Sequence, residues 1–313
     1  MLSFTIMEKE HTVHIPVMLR ETLDLLNPHS GGVYVDGTLG GGGHTAEIAR
    51  KVGETGTVVA MDRDLTAIER TEKYLKGLFG FQWKPANIRF AHANYRFFGE
   101  ALDLLKIDKI DGFLLDLGLS SDQLADRKRG FRFDSDAPLD LRFDTSEGEP
   151  ANELLFRLKE KDIADLIFQY GEERFSRQIA RKIAERRRKD QPVQTAMELA
   201  DLVRHCIPPS RETRRIDPAT RTFQALRIAV NDELGSLQNV LNEAPNRLKS
   251  GGVMAVISFH SLEDRIVKNA FRDNPRWSIL TNKPIVPSDE EVERNPRARS
   301  AKLRAAYFNV TER

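Results

Sequence analysis

Residues 33–45, VYVDGTLGGGGHT, decide the fold of this 313-residue chain. The apolar run Val33-Tyr34-Val35 is typical of a buried parallel strand, and Thr45 is a candidate N-cap for a following helix. Five of the seven residues after Asp36 are glycines. Because glycine tolerates positive φ and has no Cβ, such a turn lets the backbone touch a ligand directly. The order strand, glycine turn, helix therefore predicts a nucleotide-binding turn rather than an ordinary surface turn.

Two aspartates follow the second predicted strand, residues 57–61. Asp62 lies 22 positions after Gly40, near the roughly 20-residue offset at which a carboxylate binds ribose hydroxyls. A carboxylate accepts two hydrogen bonds from a vicinal diol and repels a 2′-phosphate, which argues against NADP. We predict that Asp62 binds the ribose and that Asp64 caps the next helix. In the alternative interpretation, either aspartate serves only as a helix cap.

Strands and helices alternate through the first part of the chain, which predicts a parallel α/β sheet. Further strands are predicted at residues 87–93, 110–115 and 253–259. Polar residues fall where the predicted strands end, namely Asp36, Asp62, Tyr95 and Asp116. Ligands of such sheets bind at the carboxyl ends of the strands, so we expect these side chains to form one site.

The alternation stops between residues 122 and 221, where only helical patterns are found. These helices are predicted at residues 153–158, 162–170, 172–188 and 195–206, the last opening with a capping box at Thr195 and Glu198. We therefore predict an α/β domain at residues 1–121 and 222–313, interrupted by a helical substrate-recognition domain at 122–221. One long helix is expected from Phe223 to Gly251-Gly252, and an edge hairpin from residues 277–280 and 303–310.

The composition predicts a soluble, cytoplasmic protein. The formal net charge is +1, so a nucleic-acid site must be a local patch. The single cysteine, Cys206, excludes an internal disulfide and is read as a small apolar core residue. No signal peptide is recognisable, and no apolar run approaches the roughly 18 residues that span a bilayer. We expect no membrane contact.

Three basic clusters flank the predicted nucleotide fold. Residues 174–189 hold eight Lys or Arg against one acidic residue. The second cluster is Arg211, Arg214, Arg215 and Arg221, and the third is Arg294, Arg297, Arg299, Lys302 and Arg304. A charged helix is commonly a solvated face, but three such clusters favour phosphate contacts. The predicted RNA-binding residues are Arg186, Arg187, Arg188, Arg214, Arg215 and His260.

Eight stretches, in this order, resemble the bacterial 16S ribosomal RNA cytosine-N4 methyltransferase family. They are DGTLGGGGH, AMDRD, LLDLGLSS, RGFRFDSDAPLDLR, YGEERFSRQIAR, ATRTFQALRI, VISFHSLEDRIVK and NPRARSAKLR. The resemblance implies a Rossmann-like, class I sheet domain that uses S-adenosylmethionine, with an inserted all-helical domain. It implies methylation of N4 of a cytidine in the decoding region of 16S rRNA, within the small ribosomal subunit.

The resemblance also implies the site residues. S-adenosylmethionine is expected on Gly42, Gly43, His44, Asp62, Tyr95, Asp116 and Gln123. The chain departs from the family pattern at two positions in or beside this set. Tyr95 stands where Phe is frequent, which adds a hydroxyl to a stacking ring. Gly41 stands where some members carry a larger residue, which predicts a more flexible loop.

Catalysis at a cytosine amine needs a hydrogen-bond acceptor, because the amine lone pair is conjugated into the ring. Asp116 and the loop of residues 118–121 sit where other amino-methyltransferases place such acceptors. The predicted catalytic residues are Asp116, Ser120 and Ser121, although Asp116 can act on either the base or the cofactor. His260 can contact the base or a phosphate, or serve a structural role. The target base is expected to flip into the cleft between the domains.

Three rival functions remain open at the level of sequence. An NAD-dependent dehydrogenase requires G-x-G-x-x-G, and the spacing here is G-x-x-G-G-G-G. A non-catalytic RNA-binding or ribosome-assembly protein is disfavoured by the glycine loop with Asp62 and Asp116, but only an activity assay excludes it. A metal enzyme is disfavoured because the histidines lack ligand spacing, so no metal is expected.

Overall fold

The computed structural model describes residues 16–80, 88–120, 123–124, 126–210, 213 and 216–310. The strands are β1 Val33–Asp36, β2 Thr57–Asp62, β3 Ile88–His92, β4 Ile110–Asp116, β5 Leu248–Ser258, β6 Trp277–Ile279 and β7 Lys302–Phe308. The first helices are α1 Leu19–Leu26, α2 Gly43–Val52, α3 Leu65–Phe79, α4 Phe98–Leu104, α5 Ala151–Arg157 and α6 Glu160–Gly171. They are followed by α7 Ser176–Arg188, α8 Ala196–Cys206, α9 Thr220–Asn231, α10 Glu233–Arg247, α11 Ser261–Asp273 and α12 Asp289–Arg294.

The strands form one seven-stranded sheet in the order β3-β2-β1-β4-β5-β7-β6. The five strands from β3 to β5 are parallel, as their apolar runs predict, whereas β7 is antiparallel to both of its neighbours. One apolar cluster packs α1, α2 and α3 against one face, and a second packs α4, α10 and α11 against the other. The predicted α/β class is confirmed.

The order of the strands creates the place for a ligand. β1 lies between β2 and β4. The strand order continues from β2 to β3 on one side of β1 and from β4 to β5 on the other side, so its direction reverses at β1. A crevice opens at the carboxyl ends of the strands at such a reversal. β1, β2 and β4 end in Asp36, Asp62 and Asp116, so three carboxylates meet at that edge.

Helices α5 to α9 lie between β4 and β5 and have an apolar cluster of their own. Its fully buried members run from Phe131 to Leu226, and Cys206 is among them. The capping box of α8 is present, with Thr195 accepting from the Glu198 N–H. This packing is consistent with a helical insertion, and its predicted division at residues 122 and 221 stays a prediction.

Two predicted elements differ from the structure in ways that have a physical cause. The single long helix from Phe223 is two helices, because Asp232 adopts a left-handed φ of 47° between α9 and α10. Gly251 and Gly252 do not end a helix but lie inside β5, which Leu248 already begins. Glycines in a strand accompany irregular pairing, and the register against β4 shifts between Ile110 and Gly112.

The predicted C-terminal hairpin is a pair of antiparallel strands without a tight turn. β6 pairs with β7, but α12 and a 3₁₀ turn at Pro296–Ser300 lie between them in the chain. β6 is the edge strand and β7 is interior, so the alternating pattern read in β7 does not mark an exposed face. In the parts of the chain that the structure covers, the helices are too short or too polar to cross a bilayer.

Candidate active site

A cavity of about 280 Å³ opens at the carboxyl edge of the sheet, where β1, β2 and β4 end. Seven predicted site residues line it: Gly43, His44, Asp62, Tyr95, Asp116, Ser120 and Gln123. Their positions in the chain span 81 residues, from 43 to 123. The structure therefore brings the predicted cofactor residues together with one exception, Gly42.

Gly42 supports the glycine turn from behind the cavity. Its φ is 77°, and a Cβ built there would meet Thr71 Cγ2 at 2.4 Å, so helix α3 packs directly against this backbone. Gly42 is also the N-cap of α2, which begins at Gly43 rather than at the predicted Thr45. A glycine can cap here because no side chain obstructs the left-handed turn. Gly42 thus has a role in packing, and its predicted cofactor contact stays a prediction.

Asp62 fixes the glycine turn and also faces the cavity. Its Oδ2 accepts a hydrogen bond from the Gly40 N–H at 2.9 Å, and its Oδ1 accepts one from the Asp64 N–H at 2.9 Å. Each carboxylate oxygen retains acceptor capacity for a ribose hydroxyl. Burial raises the pKa of Asp62. Asp64 caps α3 as predicted, since its side chain accepts from the Thr66 and Ala67 N–H groups.

Asp116 lines the cavity and carries an unsatisfied oxygen. Its Oδ1 is buried and makes no hydrogen bond to the described residues, whereas its Oδ2 lies 3.7 Å from His44 Nδ1. Burial and the nearby charge of Asp36 raise the pKa of Asp116 well above its ordinary value. A buried acceptor without a partner is costly unless a ligand supplies the donor. Asp116 is thus poised to receive a hydrogen bond from a bound molecule.

A hydrogen-bond network behind the cavity positions Asp116. The Asp116 N–H donates to Thr38 Oγ1 at 2.6 Å, and the Thr38 N–H donates to Asp36 Oδ1 at 3.1 Å. Thr45 donates its hydroxyl proton to Asp36 Oδ2 at 2.6 Å. Burial raises the pKa of Asp36 to about 6. Strand β1, helix α2 and strand β4 are therefore joined through side chains directly under the site.

His44 and Tyr95 close two sides of the cavity. His44 Nε2 lies 3.1 Å from the Val17 carbonyl oxygen, which ties the segment before α1 to the glycine turn. Tyr95 donates its hydroxyl proton to the Glu233 carbonyl at 3.3 Å, so the additional hydroxyl is bonded to the start of α10. Burial raises the pKa of Tyr95. Its ring remains against the cavity, as a stacking platform requires.

Ser120 and Gln123 bond to each other at the cavity wall. The Ser120 N–H donates to Gln123 Oε1 at 3.0 Å, and the Gln123 N–H donates to Ser120 Oγ at 3.1 Å. This reciprocal pair shapes the loop after β4 and engages the Ser120 hydroxyl as an acceptor. The catalytic role predicted for Ser120 stays a prediction. Ser121 lies outside the described residues.

His260 occupies the N-cap of α11. Its Nδ1 accepts from the Glu263 N–H at 3.4 Å, while Glu263 Oε2 accepts from the Phe259 and His260 N–H groups. The side chain of His260 is 10% exposed and lies outside the lining of the cavity. The structural interpretation accounts for these contacts, and RNA binding by His260 stays a prediction.

The predicted RNA-binding arginines of α7 differ in their surroundings. Arg187 donates to the carbonyl oxygens of Leu155, Phe156 and Leu158 and so caps the end of α5. Arg186 lies 3.4 Å from Glu198, and Arg188 is 66% exposed with Glu160 at 4.0 Å. Of these three arginines Arg188 is the most exposed, and RNA binding by all three stays a prediction. Arg214 and Arg215 lie outside the described residues.

Several cavity residues were not among the predicted cofactor-binding, catalytic or RNA-binding residues. Phe143, Glu233, Phe259, Glu263 and Arg297 reach the wall from segments that are distant in the chain. Phe259 and Glu263 lie in the stretch VISFHSLEDRIVK, Arg297 lies in NPRARSAKLR, and Phe143 directly follows RGFRFDSDAPLDLR. Glu233 lies in none of the stretches that carry the resemblance. Only the folded chain shows that they share one cavity.

The arrangement fits S-adenosylmethionine. The glycine turn offers backbone at the cavity wall, Asp62 offers acceptors for ribose hydroxyls, and the unsatisfied Oδ1 of Asp116 offers an acceptor for an ammonium group or an amine. Buried carboxylates also suit a ligand that carries positive charge. Among the described residues, there is no group of three or more His, Cys, Asp or Glu that could hold a metal ion.

Comparison with known proteins gives the family. The chain is 50% identical to ribosomal RNA small subunit methyltransferase H of Rhodopirellula baltica, over 94% of this chain and 91% of that protein. Its identity to the proteins of the same name from Kosmotoga olearia and Geotalea uraniireducens is 48% and 45%, each over 94% of this chain and over 96% and 97% of those proteins. The MraW methylase family matches residues 11–309, and the chain belongs to that family.

Proposed function

We propose that this protein transfers a methyl group from S-adenosylmethionine to N4 of a cytidine in the decoding region of 16S rRNA. The observation that carries the proposal is the cavity in which Asp62, the glycine turn and the unsatisfied Oδ1 of Asp116 meet. Membership of the MraW methylase family supports methyl transfer, and the names of the relatives support ribosomal RNA of the small subunit as the substrate.

Gly43, His44, Asp62, Tyr95 and Gln123 would hold the cofactor. Asp62 would bind the ribose hydroxyls, and the Tyr95 ring would stack on the adenine. When bound, S-adenosylmethionine supplies an electrophilic methyl group on a sulfonium. The protein's contribution is then to hold the amine in line with that methyl group and to exclude water.

Asp116 would act on the target amine. Its Oδ1 accepts a hydrogen bond from the N4 amine, which draws the nitrogen lone pair out of conjugation with the ring. Because the pKa of Asp116 is raised, its carboxylate is also a stronger base than an exposed aspartate, which suits acceptance of the proton that N4 loses. His44, 3.7 Å from the other oxygen, orients the carboxylate.

Helices α5 to α9 would recognise the RNA, and the base would flip into the cavity between them and the sheet. Phe143 of the insertion and Phe259 of the sheet domain line the cavity and offer apolar faces to a flipped base. Arg188, Arg214 and Arg215 would contact phosphates. The substrate would be the small ribosomal subunit in the cytoplasm.

The test is methyl incorporation from labelled S-adenosylmethionine into naked 16S RNA, free small subunits and whole ribosomes. We expect N4-methylcytidine as the product nucleoside and the small subunit as the preferred substrate. Asp116→Ala, which keeps the fold but removes both oxygens, provides the inactive control. A wild-type protein that binds RNA and S-adenosylmethionine but incorporates no methyl group would favour a non-catalytic assembly role.

A further inference from the structure

The segment of residues 289–300, which we name the C-terminal wall, forms one side of the cavity. It consists of α12 and the 3₁₀ turn Pro296–Ser300, and its Arg294, Asn295 and Arg297 line the cavity. Ala298 is fully buried in the apolar cluster that also contains the inner face of α2, so the wall is anchored to the sheet domain. Such anchoring gives its arginines fixed positions.

The C-terminal wall is joined to two other segments that border the cavity. Glu291 Oε1 accepts a hydrogen bond from the Met18 N–H at 2.7 Å, near Val17, which itself lines the cavity. Arg297 donates through Nη2 to the Leu119 carbonyl oxygen at 2.6 Å. That carbonyl belongs to the loop that follows Asp116 and carries Ser120. Arg297 is therefore linked to the loop that shapes the reaction site.

The loop after β4 is also held by the Phe259 ring and by the Ser120–Gln123 pair. Gly118 has a φ of 105° and packs on the Phe259 ring, where an added Cβ would come within 3.2 Å of Phe259. Leu119 and Ser120 are only partly buried. The charge-assisted hydrogen bond from Arg297 is shorter than an ordinary N–H···O bond, as is typical of a strong contact. Loss of this contact would leave the loop, and the geometry around Asp116, less well fixed.

The basic residues of this part of the chain fall into two groups. Lys302 and Arg304 pair with Asp264, at 3.3 and 2.6 Å, and lie away from the cavity lining. Arg294 lines the cavity, and its side chain is 74% exposed. Its Nε donates to the Glu290 carbonyl oxygen at 3.3 Å, and its Nη2 lies 3.8 Å from the Glu290 carboxylate. A solvated guanidinium at the rim of a site for RNA suits a phosphate oxygen.

We propose that the C-terminal wall is the RNA-facing side of the active site, in which Arg297 positions the loop after β4 and Arg294 binds a backbone phosphate of the target nucleotide. This inference rests on the proposed function and adds two residues to it. Arg297 is a positioning residue, whereas Arg294 contacts substrate. The two residues should therefore change different kinetic quantities.

The charge of Arg297 has a second effect, on Asp116. The groups that face Asp116 are Asp36 from β1, His44 from α2, Glu263 from α11, Glu291 from α12 and Arg297 from the 3₁₀ turn. Arg297 is the cation among the causes that lower the pKa of Asp116, against burial and three carboxylates that raise it. Removal of this cation should raise the pKa of Asp116 further and shift the acidic limb of the rate profile to higher pH.

The experiment compares Arg297→Gln and Arg297→Lys with Arg299→Gln, an exposed arginine of the same turn that lies outside the cavity lining. We expect Arg297→Gln to lower kcat about a hundredfold, the loss that a displacement of roughly 1 Å can cause. The acidic limb of the rate profile of this variant should move to higher pH. Arg297→Lys should keep the wild-type limb, because the charge stays, but recover kcat only in part. Arg299→Gln should have the kcat and the pH profile of wild type.

Arg294→Gln should instead weaken RNA binding with kcat and cofactor affinity unchanged. The log–log slope of RNA affinity against salt should fall by about 0.7–0.9, the contribution of one phosphate contact. Its control is Arg272→Gln, an exposed arginine of α11 that lies outside the three basic clusters and outside the cavity lining. A slope for Arg294→Gln equal to that of the control would overturn the phosphate contact.

Equal kcat and pH profiles for Arg297→Gln and Arg299→Gln would overturn the positioning role. If Arg297→Gln does not fold, Arg297→Lys decides, and wild-type kcat in it would overturn the role. Absence of N4-methylcytidine from the wild-type reaction would instead refute the proposed function. The salt slopes measure binding without turnover, so these two failures are distinguishable.

Discussion

Asp116 differs from an exposed aspartate in two respects that bear on methyl transfer. One oxygen is buried without a partner among the described residues, and burial next to Asp36 raises its pKa well above the ordinary value. A carboxylate at the end of β4 was predictable, because the strand and its last residue are visible in the sequence. The unsatisfied oxygen was not, since it depends on Thr38 and His44, which approach from β1 and α2.

Asp116→Asn should separate a catalytic role of this carboxylate from a binding role. Asparagine keeps the shape and one acceptor oxygen but removes the negative charge and the basicity. If Asp116 acts in the transition state, kcat and kcat/KM fall together while both KM values change little. Steady-state kinetics at varied RNA and cofactor provide the measurement. Wild-type kcat at saturation would remove Asp116 from the catalytic residues.

Cofactor affinity should increase as the pH rises. The pKa of Asp36 is raised to about 6, and those of Asp62 and Asp116 are raised as well, mainly by burial. A cationic ligand favours the ionised carboxylates, so binding lowers their pKa values and releases protons. Affinity should therefore rise from about pH 5 to about pH 7. Calorimetry in buffers of different ionisation enthalpy counts the protons released.

Ionisation of the same carboxylates favours cofactor binding but lowers the unfolding free energy of the ligand-free protein. A raised pKa in the folded state gives a contribution to stability that is fully present below the unfolded pKa of about 3.9. For Asp36, that contribution is lost as the pH rises through about 6. The stabilisation produced by the cofactor should thus be larger at neutral pH than at pH 5. An affinity that is flat or falls over this range would contradict the assignment.

At the scale of elements, periodicity predicted most helices and strands but not where the long helix breaks. The apolar spacing continues across Asp232, so the sequence reads as one helix. The break depends on tertiary bonds of Asn231, which accepts from the Phe143 N–H and donates to the Leu141 carbonyl of the insertion. Similarly, Thr45 looked like an N-cap, but its hydroxyl bonds to Asp36 inside the fold.

Gly42 tests how helix α2 is held. Gly42 and Gly251 have nearly equal φ values of 77° and 79°, but a Cβ would clash with Thr71 at Gly42 and meet nothing within 4 Å at Gly251. Both alanine variants should lose about 1–2 kcal/mol of unfolding free energy, because alanine is strained in a left-handed backbone conformation. Gly42→Ala should lose about 1–3 kcal/mol more through overpacking. Denaturant unfolding of the two variants provides the comparison.

Gly42→Ala should also weaken cofactor binding, although Gly42 lies outside the cavity lining. The Thr71 hydroxyl donates to the Gly40 carbonyl at 2.6 Å, so a displaced Thr71 disturbs the turn that faces the ligand. Gly251→Ala should bind the cofactor as wild type does. Equal stability losses in the two variants would show that α3 yields to the added methyl group without cost.

The end of α7 gives a second test at this scale. Arg187 caps three carbonyl oxygens at the end of α5, whereas Arg188 is exposed. Arg187→Gln should cost about 1–3 kcal/mol of stability, because three carbonyl oxygens, two of them in partly buried contacts, lose a charged donor. Arg188→Gln should leave stability nearly unchanged but lower the salt slope of RNA binding by about 0.7–0.9. A slope identical to wild type would make Arg188 part of a solvated face.

At the scale of the whole molecule, the sheet domain and the helical segment are joined beside the cavity. Arg63, after β2, donates to the Asn231 carbonyl at 2.6 Å, and Arg129 pairs with Asp64 at 2.8 Å. Both members of the second pair are at most 10% exposed. The sequence predicted the cap role of Asp64 and a charged segment around Arg129. It gave no sign that the two charges meet, because such pairing depends on how the segments pack.

Arg129→Met should show how strongly this ion pair couples the two parts of the molecule. The substitution leaves Asp64 buried without its cation, which should cost about 3–5 kcal/mol of unfolding free energy. Arg132→Met provides the control: it removes an exposed pair with Asp134 in the same segment, which should leave the unfolding free energy nearly unchanged. Denaturant unfolding at neutral pH measures both values.

The pH dependence of the unfolding free energy lost in Arg129→Met shows whether the ion pair with Asp64 causes the loss. Burial alone would raise the pKa of Asp64, but hydrogen bonds from Thr66 and the charge of Arg129 outweigh it and hold this pKa below the ordinary value. A lowered folded pKa contributes stability above the unfolded pKa of about 3.9 and loses it as the pH falls through the folded pKa. The difference between wild type and Arg129→Met should therefore shrink at acidic pH. An equal loss in the Arg132→Met control, or a difference that does not depend on pH, would show that the two parts are held together by apolar packing instead.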